Sequence, residues 1–172
     1  MRARAAASLL DQNYLSGIAK RKPGFRELEP VLRQALANEA VEVAESAAHR
    51  RESEARPDLA LLELLRELSG GRRLPDEQGA PERNVERRLR RFASEHFPER
   101  IARTSDEIDF EALSIALPRC DLVACDAFMA DVVRRAGLDR RFGSEVFGGR
   151  RPDVLALRDR LATQRPYTPP IA

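Results

Sequence analysis

The chain has 172 residues, 30 Lys+Arg against 28 Asp+Glu, and a formal charge of +2, with 42% hydrophobic and 34% charged residues. That length fits one compact domain with room for a real core, and the near balance of charge excludes a polycationic nucleic-acid coat. Seven Phe, two Tyr and no Trp argue against a β-sandwich or a base-stacking RNA-binding sheet, both of which lean on aromatic side chains.

Ala6 to Leu10 is a short apolar run ended by Asp11, open to strand or helix because its length does not arbitrate. Tyr14, Leu15 and Ile18 predict a helical turn that Pro23-Gly24 stops. Phe25, Leu28, Leu32 and Leu36 recur at helical spacing and predict an amphipathic helix over 25–37. Val41 and Val43 alternate with Glu42 and Ala44, a weak strand signal. Ser46 is a good N-cap for a short helix to about Arg56. Pro57-Asp58 opens the next helix, with Leu61, Leu62, Leu65 and Leu68 on one face and Gly70-Gly71 closing it.

Residues 72–81 are rich in Gly, Pro and charge and read as a loop. Helical period returns over 82–97 through Val85, Leu89, Phe92 and Phe97, with Arg83, Arg87, Arg90 and Arg91 on the opposite face. Asp109 begins a short helix (Phe110, Leu113, Leu117) that Pro118 ends. Asp121 to Asp126 is the clearest strand, apolar in the middle and bounded by acids. Ala127 to Ala136 is helical with Gly137 after its end, Val146-Phe147 is a last strand, and Pro152-Asp153 starts a final helix. Short strands alternating with helices give an α/β class, a small parallel sheet flanked by helices in a three-layer sandwich. The expected organisation is a single domain over 1–165 and an extended tail over 166–172.

No apolar run approaches the roughly 18 residues of a membrane helix, and the basic-then-apolar start is broken by Asp11, too early for a signal peptide. Cys120, Cys125, His49 and His96 do not make a zinc-finger spacing. Both cysteines read as small buried hydrophobes, His96 as structural, and the expected setting is cytoplasmic, with no membrane partner.

In a parallel α/β sheet, sites form beyond the carboxyl ends of the strands. Asp11 and Asp126 fall at two such ends, and on neighbouring strands their carboxylates converge. Carboxylates a few Å apart resist ionising together. A divalent cation is the usual remedy: Mg²⁺ or Mn²⁺ takes hard oxygen ligands and activates water at a phosphodiester. Glu52, Asp109 and Asp121 are the further acids near that edge, and His49 shares a helix face with Glu52. Each has an ordinary explanation taken singly: Asp109 and Asp126 as N-caps, Asp121 as a cap or turn residue, Glu52 as a solvated helix acid. The Arg83, Arg87, Arg90 and Arg91 stripe reads either as a grip on an RNA backbone or as a solvated face paired with Glu82, Glu86 and Glu95.

Several segments share one resemblance. Leu10 to Ser16 looks like the opening of PIN-like nucleases, an apolar strand ending in Asp. Ser46-Ala-Ala-His49-Arg-Arg-Glu52 resembles the second acidic motif of a bacterial branch, and Asp109 to Asp126, with its Leu-Pro-x-Cys-Asp core, is similar to the third and fourth. Phe142 to Phe147 and the apolar helix after it match that branch too, so the resemblance spans nearly the whole chain. The chain departs from the pattern at its weakly apolar first strand, at Arg119, where an aromatic is expected, and at Cys125, where a small hydroxyl residue is expected.

The resemblance implies a metal-dependent nuclease, usually acting on RNA. Asp11, Glu52, Asp109 and Asp126 would be the catalytic acids that hold one or two Mg²⁺ or Mn²⁺ ions. Asp121 would be an extra ligand, and Asn13 and His49 positioning groups. Many such relatives are toxins restrained by a small antitoxin, which makes RNA the substrate and an antitoxin a protein partner; a homo-oligomer stays open. The competing readings are a non-catalytic PIN-like scaffold that binds RNA or protein, a different phosphate-handling α/β domain, and a purely helical regulator. The chain lacks a P-loop pattern, an Asp-x-Asp motif after its first strand and a Lys near its last helices, and two isolated histidines do not suit a zinc hydrolase.

Overall fold

In the computed structural model, which describes residues 5–55 and 60–164, four short strands form one all-parallel sheet. They are β1 (Ala6–Leu10), β2 (Val41–Val43), β3 (Leu122–Ala124) and β4 (Glu145–Phe147), in the order β2-β1-β3-β4. The helices are α1 (Gln12–Ala19), α2 (Phe25–Ala37), α3 (Ala47–Glu54), α4 (Leu61–Ser69), α5 (Ala80–His96), α6 (Thr104–Ala116), α7 (Ala127–Arg135), α8 (Leu138–Phe142) and α9 (Arg151–Ala162). The fold is therefore α/β, as the sequence led us to expect.

Alternation along the strands builds the two cores. Leu10, Leu122 and Ala124 enter a cluster with Tyr14, Leu28, Leu65 and Leu157, from α1, α2, α4 and α9. Leu9, Val123 and Cys125 enter the other, with Leu89, Leu113, Val132 and Leu138 from α5, α6, α7 and α8. A strand buried on both faces reads as a continuous apolar run, which is why Leu-Val-Ala-Cys shows no polar alternation. Burying one such Leu or Val contributes about 1.5–3 kcal/mol. Helix α3 packs against α6 on one side and α4 and α1 on the other, bridging the two layers.

The run Ala6–Leu10 resolves as strand. Helix α2 has the expected bounds, and Ser46 does cap α3, accepting from the His49 backbone N–H at 3.0 Å. Three expectations need correction. Helix α6 starts at Thr104, so Asp109 lies inside it and is not its cap; Arg103 is the N-cap, and Asp106 in the first turn accepts from the Arg103 backbone N–H at 2.9 Å. The polar turn Thr104-Ser105-Asp106 carries no apolar periodicity, which hid the true start. The 72–81 loop is partly paired: Glu45 N–H donates to the Arg72 carbonyl at 2.9 Å and Leu74 N–H to the Glu45 carbonyl at 2.8 Å, and α5 already begins at Ala80. After Gly137, in the left-handed region at φ 68°, a further short helix, α8, follows.

The proposed helix opening at Pro57-Asp58, the end near Arg56 and the tail after Gln164 lie outside the described residues. Cys120 and Cys125 are buried thiols outside any disulfide among the described residues. Among the described residues no helix is long and apolar enough to cross a membrane.

Candidate metal centre

The strand order sets the position of the site. The chain leaves β1 toward β2 on one side, then returns past β1 to place β3 and β4 on the other. Connections thus diverge between β1 and β3, and a crevice opens beyond their carboxyl ends. Leu10 is in register with Ala124, and Asp11 N–H continues the ladder to the Ala124 carbonyl at 3.0 Å. Asp11 and Asp126 therefore stand one step apart across two adjacent strand ends.

Both acids are helix N-caps. Asp11 Oδ1 accepts from the Tyr14 N–H at 3.0 Å at the start of α1, and Asp126 Oδ1 accepts from the Met129 N–H at 2.7 Å at the start of α7. The cap reading of Asp126 is correct and Asp11 proves to be a cap as well, but a cap engages one carboxylate oxygen and does not exclude a second task. Both residues line a polar concavity of about 340 Å³ together with Glu52, Asp109 and Asn13. Lys20 and Arg103 line the same concavity and bring positive charge to it.

The remaining groups come from the two helices that meet above the crevice. The Ser46 cap fixes His49 in the first turn of α3 and Glu52 nearly one turn on, facing α6. His49 Nε2 lies 3.6 Å from Asp109 Oδ1. One ligand atom from each of His49, Glu52 and Asp109 lies within 4.8 Å of the others. Gln12 Nε2 donates to the Glu52 carbonyl at 3.3 Å and ties α1 to α3. Asn13 sits against Gly149, where an added Cβ would stand 2.1 Å from its Nδ2.

The electrostatics follow from burial and crowding. Asp11 is 3% exposed; burial, then repulsion from Asp109 and Asp126, push its pKa from 3.8 to about 8, against the opposing pull of His49 and the Tyr14 N–H. Burial also raises Asp126; the Met129 N–H opposes it, Asp109 adds to it and Arg100 again opposes. Burial draws the His49 imidazole down, but the carboxylates of Asp109, Asp11 and Glu52 outweigh it and its pKa is raised overall. Both ring nitrogens of His49 are buried with no hydrogen-bond partner among the described residues.

Asp121 does not join this group. It precedes β3 and so lies at the amino edge of the sheet, about 16 Å of extended chain from Asp126 at roughly 3.3 Å per residue. Its Oδ2 accepts from the Ala7 N–H at 2.9 Å, holding the first turn of β1 pairing in place. The arginine stripe is also elsewhere: none of Arg83, Arg87, Arg90 or Arg91 lines the concavity. Arg90 pairs with Glu86 and Glu107, Arg91 with Glu95 at 2.7 Å, and Arg83 donates to the Gln78 carbonyl at 2.6 Å. Of the acids expected to pair with this stripe, Glu86 and Glu95 do so, whereas Glu82 pairs with Arg119. His96 stacks on Phe92 with ring centroids 3.9 Å apart, which fits a structural role.

Sequence reasoning missed Lys20, Arg103 and the Arg100–Asp106 pair. Arg100 makes a two-pronged contact with Asp106 and lies 3.5 Å over the Phe128 ring, which brings its charge to bear on Asp126. No capping signature marks this turn, because Arg103 stands at the N-cap where Ser, Thr, Asp or Asn would have signalled it. No protein-family model, curated protein or solved structure matches the chain.

Proposed function

We propose that the chain is a PIN-like, metal-dependent nuclease that hydrolyses phosphodiester bonds in RNA. One observation carries this reading: Asp11 and Asp126, from adjacent strand ends, and Glu52 and Asp109, from α3 and α6, line one polar concavity at the divergence point of a parallel sheet. The residues fit a hard divalent cation, Mg²⁺ or Mn²⁺, because the acids supply oxygen donors and Asp11 is a buried carboxylate whose charge is otherwise opposed. A bound ion of this kind lowers the pKa of water and neutralises developing charge on a phosphoryl oxygen.

The chain's own groups do the rest. Asp11 and Asp126 are held by their own helix N-termini, so their carboxylates are fixed before any ligand arrives. Asp109 is oriented by the packing of α6 on α3, and Glu52 by the Ser46-capped helix. Lys20 and Arg103 supply the charge that draws in a phosphate backbone and keeps it beside four acids, a juxtaposition that would otherwise repel RNA.

The test is cleavage of a panel of labelled RNAs by the purified protein with Mn²⁺, Mg²⁺ or EDTA, beside Asp126→Asn. Asparagine still caps α7, so the variant keeps its fold. Cleavage that needs metal and disappears in the variant is the expected result. Equal cleavage by both proteins, or none by either, overturns the active-nuclease reading and favours a scaffold that binds without cutting.

A further inference from the structure

We infer that His49 is an inner ligand of the bound ion through Nε2, and that the site therefore selects a first-row transition cation such as Mn²⁺ over Mg²⁺. This rests on the metal-centre reading above and specifies its donor set. His49 is 2% exposed, and neither ring nitrogen has a hydrogen-bond partner among the described residues. A buried donor or acceptor without a partner forfeits its hydration with nothing in return, so such a side chain calls for a partner. Asp109 Oδ1 stands 3.6 Å from His49 Nε2, too far for a hydrogen bond.

The separation suits an ion between the two groups. Ligand atoms about 2.1 Å from one ion lie about 3.0–4.2 Å from each other. The His49–Asp109 distance falls inside that range, and the three-way set with Glu52 closes within 4.8 Å. Glu52 completes the set by turning its carboxylate toward the same point. A nitrogen donor then changes the preference. Mg²⁺ takes oxygen ligands and keeps its waters, whereas imidazole binds first-row transition ions along the Irving–Williams series. The rival explanation, an imidazolium that simply shifts onto Asp109, needs no ion and predicts no nitrogen at the metal.

The experiment uses His96→Gln protein, in which His49 is the only imidazole; His96 is exposed and outside the site. Mn²⁺ is added, and electron spin-echo modulation reads nitrogen bound to the metal. Imidazole modulation is expected, and it should vanish when His49→Gln is added. Competition with Mg²⁺ should show the Mn²⁺ preference falling at least about tenfold in that double variant. Mn²⁺ bound tightly without imidazole modulation overturns the inference and leaves the carboxylate site standing. Failure of Mn²⁺ to bind at all overturns both. Should His49→Gln fail to fold, the modulation in the His96→Gln protein decides the matter by itself.

Discussion

Replacing Asp11 by Asn should stabilise the metal-free protein while weakening its hold on metal. The folded carboxyl titrates at about 8, against 3.8 when free. At pH 7 the unfolded chain has lost this proton and the folded chain keeps it, a difference of roughly three units or about 4 kcal/mol against folding. The sign follows from the direction of the shift. A folded pKa above the unfolded one means stability is lost as pH rises from about 4, and the loss levels off above about 8. His49 acts in the same direction: its raised pKa gives stability below the free value of 6.5 that disappears as the ring deprotonates. Asparagine keeps the oxygen that accepts from the Tyr14 N–H and removes the ionisation. For a chain of this length about 4 kcal/mol corresponds to roughly 8–16 °C in Tm. Thermal denaturation in EDTA across pH 4–9 should show the two proteins together near pH 4, with the variant increasingly ahead up to pH 8. Saturating Mn²⁺ should then raise wild type far more than the variant and close or reverse the gap. A variant no more stable than wild type at pH 8 in EDTA would refute the account of Asp11 as a carboxylate held against its preference.

The remaining predictions separate the site from its surroundings. Asp121→Asn retains the acceptor for the Ala7 N–H and lies at the far sheet edge, so Mn²⁺ affinity measured by titration calorimetry should stay within about twofold, whereas Asp109→Asn should lower it by more than tenfold. Gly149→Ala should displace the Asn13 side chain, because the new Cβ would meet Asn13 Nδ2 at 2.1 Å; cleavage should fall while stability, read by urea denaturation, drops by no more than about 1 kcal/mol. Lys20→Gln with Arg103→Gln should weaken RNA binding and reduce its salt slope by about 0.7 per charge removed, while Arg91→Gln should leave that slope unchanged.

Much of this arrangement can be read from the chain, and the exceptions have physical reasons. At Asp126 an apolar run ended by an acid and followed by helical periodicity marks both a strand end and an N-cap, whereas the run before Asp11 was too short to tell strand from helix. Ser46 three residues before His49 likewise places His49 and Glu52 on one face. Strand order was not legible, because three-residue strands buried on both faces carry no mark of their neighbours. Asp121 misled for a different reason. It and Asp126 bound the same strand symmetrically in sequence, but a parallel sheet sends them to opposite edges, and chain direction decides which edge holds the site. The basic groups of the concavity were hidden because Lys20 and Arg103 sit at helix ends, where no periodicity singles them out.

The other buried acids show how unusual Asp11 is. Glu45 accepts from Ser69 Oγ at 2.6 Å with Arg50 at 3.8 Å, Glu82 pairs with Arg119 at 2.5 Å, and Asp106 pairs with Arg100. Each has a cation beside it, so each is compensated within the fold. Asp11 has no Arg or Lys partner among the described residues. Its opposing charge is an imidazole with no hydrogen bond of its own, and two further carboxylates repel it. A core that supplies arginine to three buried acids and withholds it from the fourth leaves that fourth site short of positive charge at the mouth of a polar concavity. A divalent cation would make up that shortfall, satisfy the imidazole and relieve the repulsion in one step, which is the physical case for the proposed metal centre, built at the expense of metal-free stability.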